Sequence, residues 1–341
     1  MHKGSKKLAY TLSALFAGAV FGSGCVRTGD TVTTIDGFAQ GSTYHIVVKS
    51  DRQRPEIQQA VDSLLGVIDR SVSLFNDSSL LNRINRGETD SVDVHIAYCV
   101  ETAEKISRES DGMYDITIKP IFEAWGFTGR ECDGDPDIDS LLRYVGHEKI
   151  RIENGRLVRT MPGVQIDLSS IAQGYSADML ARLLEEHGIE EYLVEIGGEI
   201  FCRGTNPSGT DWRVGIDKPV EGNFTPGADM QVKLSLTGLG LATSGNYRKY
   251  HTDSKGRKIV HTINPKTGYS EISNLLSATV IAENATLADA YGTLMMVIGL
   301  DRSIELLNRH PELMGYLVYT DDAGRFETYV SPALERHIIR D

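Results

Sequence analysis

The chain is poor in cysteine: four in 341 residues (Cys25, Cys99, Cys132 and Cys202), with no Cys-x-x-Cys pair. Neither a cysteine-built zinc site nor a disulfide framework is supported by such spacing. Proline is scarce too, at ten, and no low-complexity linker or internal repeat divides the chain. Basic residues are outnumbered, 35 Lys and Arg against 47 Asp and Glu, for a net charge of −12. A general nucleic-acid binder needs a basic face, so the acidic balance argues against that class. Past the N-terminal segment, no apolar run is long enough to span a bilayer. What is present is ordinary and globular. Hydrophobic residues make up 40% and charged residues 24%, which excludes wholesale disorder. The 34 glycines suit a turn-rich α/β or α+β enzyme better than a bundle. The length allows one large domain or two modest ones.

The N-terminus reads as an address. Lys3, Lys6 and Lys7 form a basic start, and Leu8 to Phe21 is apolar or small throughout. This stretch is short for a span and has the shape of a secretory signal. It ends at Gly22-Ser23-Gly24-Cys25, which resembles a bacterial lipoprotein cleavage site with Cys25 as the lipidated new N-terminus. Gly22 stands where a branched aliphatic residue is usual, and an ordinary signal with a nearby cysteine is the alternative. The expectation is a signal over 1–24, a polar tether over 25–35 and a folded domain over 36–341. Lipidation anchors a protein without a spanning helix. The expected location is outside the cytoplasm, on the periplasmic side of the inner membrane. Cleavage removes three lysines and no acid, so the mature protein is more acidic still.

Periodicity supplies the elements. Thr43 to Val48 reads as a strand. Ile57, Ala60, Val61, Leu64, Leu65 and Ile68 lie at helical spacing, as do Ile96, Cys99, Val100, Ala103 and Ile106. Cys99 therefore reads as core. Asp133 to Asp139, with Pro136, reads as a solvated acidic loop. Tyr175 to His187 gives a third helix. Tyr192 to Ile196 gives a short buried strand ending at Gly197-Gly198. Leu276 to Ile281 is another strand, and Ala285 to Ile298 another helix. Strands and helices alternate irregularly, which favours α+β over a doubly wound sheet.

Four segments carry candidate chemistry. Gly238-Leu239-Gly240 opens like a dinucleotide loop, but Thr243 stands where the third glycine belongs and no βαβ unit surrounds it. A glycine-rich turn over 238–245 is expected instead, either merely tight or presenting amides to a ligand. Asp289 and Thr293 are i and i+4 on one helical face. A carboxylate among small and apolar neighbours must be paired, metal-bound or facing water, and a hard oxygen pair suits Mg²⁺ with water and phosphate oxygens. Ser169 and Ser170 precede a helix and are expected to cap it, leaving amides for a phosphate or only a plain capped helix. His261 precedes the Asn264-Pro265-Lys266-Thr267-Gly268 turn. There it is either structural or a general base.

Taken in order, these segments resemble the FAD:protein FMN transferase family, the ApbE-type flavin transferases. The resembling stretches are Gly41-Ser42-Thr43-Tyr44, Phe75 to Ser79, Gly112 to Pro120 with Trp125-Gly126-Phe127, and Asp167 to Asp178. They continue with Glu195-Ile196-Gly197-Gly198-Glu199, Trp212 to Ile216, Ala242 to Tyr247, the His261 turn and Ala288-Asp289 with Thr293. The resemblance implies an α+β fold of two interlocked subdomains with FAD and Mg²⁺ between them. It implies transfer of FMN from FAD to a threonine or serine of an acceptor protein, releasing AMP. It also implies metal ligation by Asp289, Thr293 and the Ala172 carbonyl. Flavin neighbours would be Gln40, Phe75, Ile116, Thr117, Ile118, Ser169, Tyr175 and Thr262, and His261 would be the base. Gln173 replaces the Lys or Glu of many members, and Gly292 a second Asp of some. The alternatives are a Mg²⁺-dependent FAD pyrophosphatase, with water replacing the acceptor, and a non-catalytic flavin-binding lipoprotein.

If Cys25 carries the lipid, Cys25→Ser releases the protein from membranes into the soluble fraction. Wild type recovered soluble with an unmodified Cys25 contradicts the anchor.

Overall fold

The computed structural model describes residues 31–127, 136–219, 230–245, 250–252, 258–270 and 273–340. The expected signal, Cys25, Cys132 and residues 133–135 and 246–247 lie outside them. Among the described residues no helix is long and apolar enough to cross a membrane.

The chain opens with a hairpin, β1 (Thr31–Ala39) and β2 (Ser42–Ser50), then α1 (Glu56–Val72), α2 (Leu80–Asn85), α3 (Val94–Glu109), α4 (Lys119–Ala124) and α5 (Ile138–Leu142). A small ribbon follows, β3 (Ile150–Glu153) with β4 (Arg156–Arg159), and then α6 (Ala172–Glu186), β5 (Glu191–Ile196) and β6 (Glu199–Arg203). Next come β7 (Trp212–Asp217), β8 (Met230–Leu236), β9 (Leu239–Gly245), β10 (Tyr250–Thr252), β11 (Lys258–Val260) and β12 (Leu275–Ala282). The chain finishes with α7 (Ala285–Arg309), β13 (Met314–Thr320) and β14 (Phe326–Val330). The architecture is α+β, as the irregular alternation implied.

One antiparallel sheet organises it, in the order β1-β2-β5-β6-β9-β12-β13-β14. Strand residues alternate between its faces. Tyr44, Ile46, Val48, Val194 and Ile196 pack with Ile57, Val61 and Leu65 of α1 and with Ala177, Leu180 and Leu184 of α6. Each such fully buried large side chain contributes roughly 1.5–3 kcal/mol. The other face carries Val47, Leu193, Ile200, Leu241 and Ile281, covered by Trp212, Val214, Leu234 and Leu236 of the β7–β8 ribbon. Cys99 is buried in the large cluster that joins α3 to α7. Its thiol is pushed up by burial and is an apolar filler.

Three expectations change. β1 begins at Thr31, inside the stretch read as a tether, because nine residues pair in register with β2 and bury Ile35. Asp137, read as loop, caps α5 through the Ser140 N–H at 3.1 Å, and Asp139 lies inside that helix. Residues 239–245 form a central strand, and only Gly238 sits in a turn, with φ +66°. Gly240 answers a different need: a Cβ there would lie 2.5 Å from the Asn284 carbonyl oxygen where α7 begins.

Gly240→Ala is therefore expected to cost about 3 kcal/mol or more, since backbone cannot move aside as a side chain can. Gly238→Ala meets open space and should cost only about 1–2 kcal/mol for its left-handed backbone. Urea unfolding of both variants measures the difference, and equal losses would contradict the close approach of α7 to β9.

Candidate functional site

The start of α6 is built from a buried polar turn. The Asp167 carboxylate accepts the Ser169 backbone N–H at 2.7 Å and also the Ser169 hydroxyl. Ser170 exchanges a hydrogen bond with the Tyr114 hydroxyl at 2.8 Å. Neither serine caps α6. Its N-cap is Ile171, with no side-chain hydrogen bond. Helix-start chemistry favours a serine cap, but Asp167, two residues before Ser169, takes one hydroxyl and Tyr114, brought in by the fold, engages the other. The Gly174 N–H, in the first turn of α6, instead donates to Asp289 Oδ2 of α7 at 3.1 Å.

Asp289 is 6% exposed and has no cationic partner among the described residues. Burial pushes its carboxyl above the usual range, opposed by the Gly174 N–H and reinforced by the nearby Asp178 charge. Asp178 is raised by burial as well, against the hydrogen bonds it receives from Thr286 and Ala285. Thr293 stands one turn beyond Asp289 on the same helix and is half-buried. Ala172 is the first residue of α6, and its carbonyl accepts the Ser176 hydroxyl at 2.7 Å. Ser176 in turn receives Nε2 of Gln40 at 2.7 Å. Gln40 and Gly41 hold φ of 52° and 74° in the two-residue turn joining β1 to β2, as a type I′ hairpin requires. The fold thus links Gln40, Ala172 and Asp289 through Ser176 and Gly174.

The remaining expected residues are spread around this core. Ile116, Thr117 and Ile118 are buried. The Thr117 hydroxyl is spent, donating to Asp115 Oδ1 at 2.6 Å and accepting the Gly146 N–H at 2.7 Å. The Ile116 carbonyl accepts the Asp167 N–H at 2.7 Å, so this strip is tied to the Ser169 turn. Tyr175 turns inward, its hydroxyl 2.8 Å from His95 Nδ1 and its ring against Tyr98. Phe75 is 75% exposed after the end of α1, with its N–H bonded to Ser73. The His261 ring meets Phe127 edge-on at 6.5 Å between centroids, and Thr262 is buried. Their turn is docked by Trp125 Nε1, which donates to the Gly268 carbonyl at 2.8 Å.

Among the described residues no group of three or more His, Cys, Asp or Glu forms a metal cluster. A site of one carboxylate, one hydroxyl and one carbonyl is poor in charge, and such a donor set suits Mg²⁺ that keeps waters and phosphate oxygens. Asp289 decides the fit: a buried carboxylate with one amide donor and no counter-charge among the described residues is costly unless a cation or a proton joins it. The residues fit the metal on that ground, and the Ala172 carbonyl keeps a second lone pair beside the Ser176 hydroxyl. A Cβ at Gly292 would approach Ser244 Oγ to 3.0 Å, so a second aspartate there would press on β9.

Two carboxyl groups stand in the resembling stretches but received no role from the sequence. Asp178 accepts the Ala285 and Thr286 N–H groups, each at 2.8 Å, and the Thr286 hydroxyl at 2.5 Å. A signal existed, since glycine inside a helical pattern marks close packing and Gly174 lies one turn before Asp178. Glu195 is fully buried on β5 and pairs in register with His45 of β2. Its Oε1 accepts the Gly198 N–H at 2.7 Å, while Oε2 has no partner. Burial raises its carboxyl to about 8.

Comparison with known proteins gives a consistent result. The model of the ApbE family matches residues 40–317. The chain is 32% identical to the FAD:protein FMN transferase of Escherichia coli K12, over 98% of this chain and 99% of that protein. It is 30% identical to the protein of the same name from Haemophilus influenzae, over 89% and 91%. Among solved structures, the Pseudomonas stutzeri flavinyl transferase ApbE superimposes with a TM-score of 0.79 at 28% identity, covering 90% of this chain and 97% of that one. The flavin transferase ApbE of Vibrio cholerae gives 0.77 at 26%, covering 90% and 99%.

Glu195 generates a pH prediction. Its folded value lies above the unfolded one, so the folded protein holds the proton more tightly. The stability this brings is full below about pH 4 and is lost as pH rises through about 8. Denaturant midpoints of wild type should fall between pH 5 and pH 9. Glu195→Gln, which keeps an acceptor for Gly198, should fall less, and parallel falls would show that Glu195 is not the titrating group.

Proposed function

Because the chain belongs to the ApbE family, we propose that it transfers FMN from FAD to a threonine or serine hydroxyl of another protein and releases AMP. The observation that carries the reading is the buried, uncompensated Asp289 carboxylate bonded to the first turn of α6. A carboxylate so placed, one turn from the Thr293 hydroxyl, serves a divalent cation rather than packing.

In this reading FAD lies over the start of α6. Gln40, Phe75, the backbone of Ile116, Thr117 and Ile118, Ser169, Tyr175 and Thr262 flank it. The helix N-terminus offers its positive end to the pyrophosphate, which matters in a protein of net charge −12. Asp289, Thr293 and the Ala172 carbonyl would hold Mg²⁺, whose chemistry here is to neutralise charge on the pyrophosphate. His261 takes the proton of the acceptor hydroxyl. The hydroxyl oxygen forms a bond to the FMN-side phosphorus as the bond from that phosphorus to the bridging oxygen breaks. AMP leaves with the bridging oxygen, FMN stays joined to the acceptor by a phosphodiester, and the proton passes from His261 to solvent. Positioning carries most of such a transfer. The proposal includes export and a lipid anchor at Cys25, which brings the enzyme to membrane-associated acceptors.

The test incubates the full-chain protein with FAD, Mg²⁺ and a threonine-containing acceptor peptide. AMP and covalent flavin fluorescence are followed together. Wild type should yield both in equal amounts. Asp289→Ala should abolish turnover while remaining folded. His261→Asn should keep FAD binding but slow transfer by about 10²–10⁴-fold, the usual contribution of a positioned base. AMP with free FMN and no labelled acceptor would replace transfer by hydrolysis.

A further inference from the structure

Asp178 takes part in none of the steps above, yet it lies half-buried between the two helices that build the site. Its carboxylate leaves α6 and receives the first two amides of α7, from Ala285 and Thr286, and the Thr286 hydroxyl. The helix already has a cap of its own, since Asn284 Oδ1 accepts the Leu287 N–H at 2.8 Å. Asp178 satisfies the two amides that this cap leaves, and it does so from another helix. What it adds is a tie between the two axes.

The tie is one of two. Going from Gly174 to Asp178 advances one turn along α6, while going from Asp289 to Ala285 retreats one turn along α7. The Gly174 N–H to Asp289 bond and the Asp178 to Ala285 and Thr286 bonds are therefore successive rungs between antiparallel helices. They run in opposite senses, with each helix supplying one carboxylate and receiving the other. Two rungs fix sliding as well as separation. There is no slack between them, because a Cβ on Gly174 would lie 2.8 Å from Asp289 Cβ. We propose that Asp178 is a positioning residue whose carboxylate sets the register of α7 against α6, and so the placing of Asp289 at the α6 N-terminus. Its consequence for metal affinity rests on the metal reading above.

The experiment compares two cap variants of the full-chain protein. Asp178→Asn keeps the size but turns an amide NH₂ toward backbone donors, which breaks part of the upper rung. Asn284→Ala removes the cap that belongs to α7 alone and leaves both rungs. Two quantities are read: Mn²⁺ binding by electron paramagnetic resonance, with Mg²⁺ competition, and hydrogen exchange of the Gly174 amide without metal. Asp178→Asn should weaken Mn²⁺ binding about 10- to 100-fold, the usual effect of losing a group that orients a metal ligand. It should also speed Gly174 exchange. Asn284→Ala should lower the melting temperature with both readouts close to wild type. Asp178→Glu, which restores a carboxylate, should recover part of the affinity. Equal effects of Asp178→Asn and Asn284→Ala would reduce Asp178 to an ordinary cap, and an unchanged Gly174 exchange in Asp178→Asn would overturn the proposal outright. If wild type binds no Mn²⁺, the metal reading fails and Gly174 exchange alone decides the register.

Discussion

The close crossing of α6, α7 and β9 at Ala285 is the constraint on which the site depends. Gly174 brings the α6 backbone against the Ala285 carbonyl, and Gly240 brings β9 against the Asn284–Ala285 peptide. Three backbones meet where any side chain would hold them apart. A glycine inside a helix costs about 1 kcal/mol relative to alanine, and the packing of α6 and α7 on the sheet offsets it. Only at this distance does the Gly174 N–H reach Asp289. The same approach lets Asp178 reach the first amides of α7.

Three carboxyl groups of the fold differ sharply in their surroundings. Asp289 and Glu195 are removed from water and Asp178 is half-buried, and burial raises each carboxyl. Their fates differ with their donors. Asp178 is held by two amides, a hydroxyl and the positive end of α7, a setting that stabilises the charged form. Asp289 has one amide. Glu195 has one amide and a second oxygen with no partner, so a proton is its natural companion. The donors thus separate three buried or half-buried carboxyl groups that composition alone would treat alike.

Much of the architecture was legible before any coordinates. The 3.6-residue spacing of Ile57 to Ile68, of Ile96 to Ile106 and of Tyr175 onward marks α1, α3 and α6, because an amphipathic stripe is what a helix on a sheet must carry. Thr43 to Val48 and Tyr192 to Ile196 read as strands, and they pair in register as β2 and β5. Asp289 with Thr293 stood out because a lone acid in an apolar helix needs a reason.

What the sequence left undetermined is a matter of partners distant in the chain. Glycines over 238–245 look like turn chemistry, and only the arrival of α7 shows that Gly240 is there for close approach. Ser170 looks like a cap until Tyr114 arrives to engage its hydroxyl. Asp178 has no assigned role until residue 285 arrives beside it. Local periodicity records which face of an element is buried, so α1, α3, α6, β2 and β5 were determined by the sequence alone. Which donor meets which acceptor depends on where two axes cross, a non-local choice made by packing, and it was decided only by the tertiary structure.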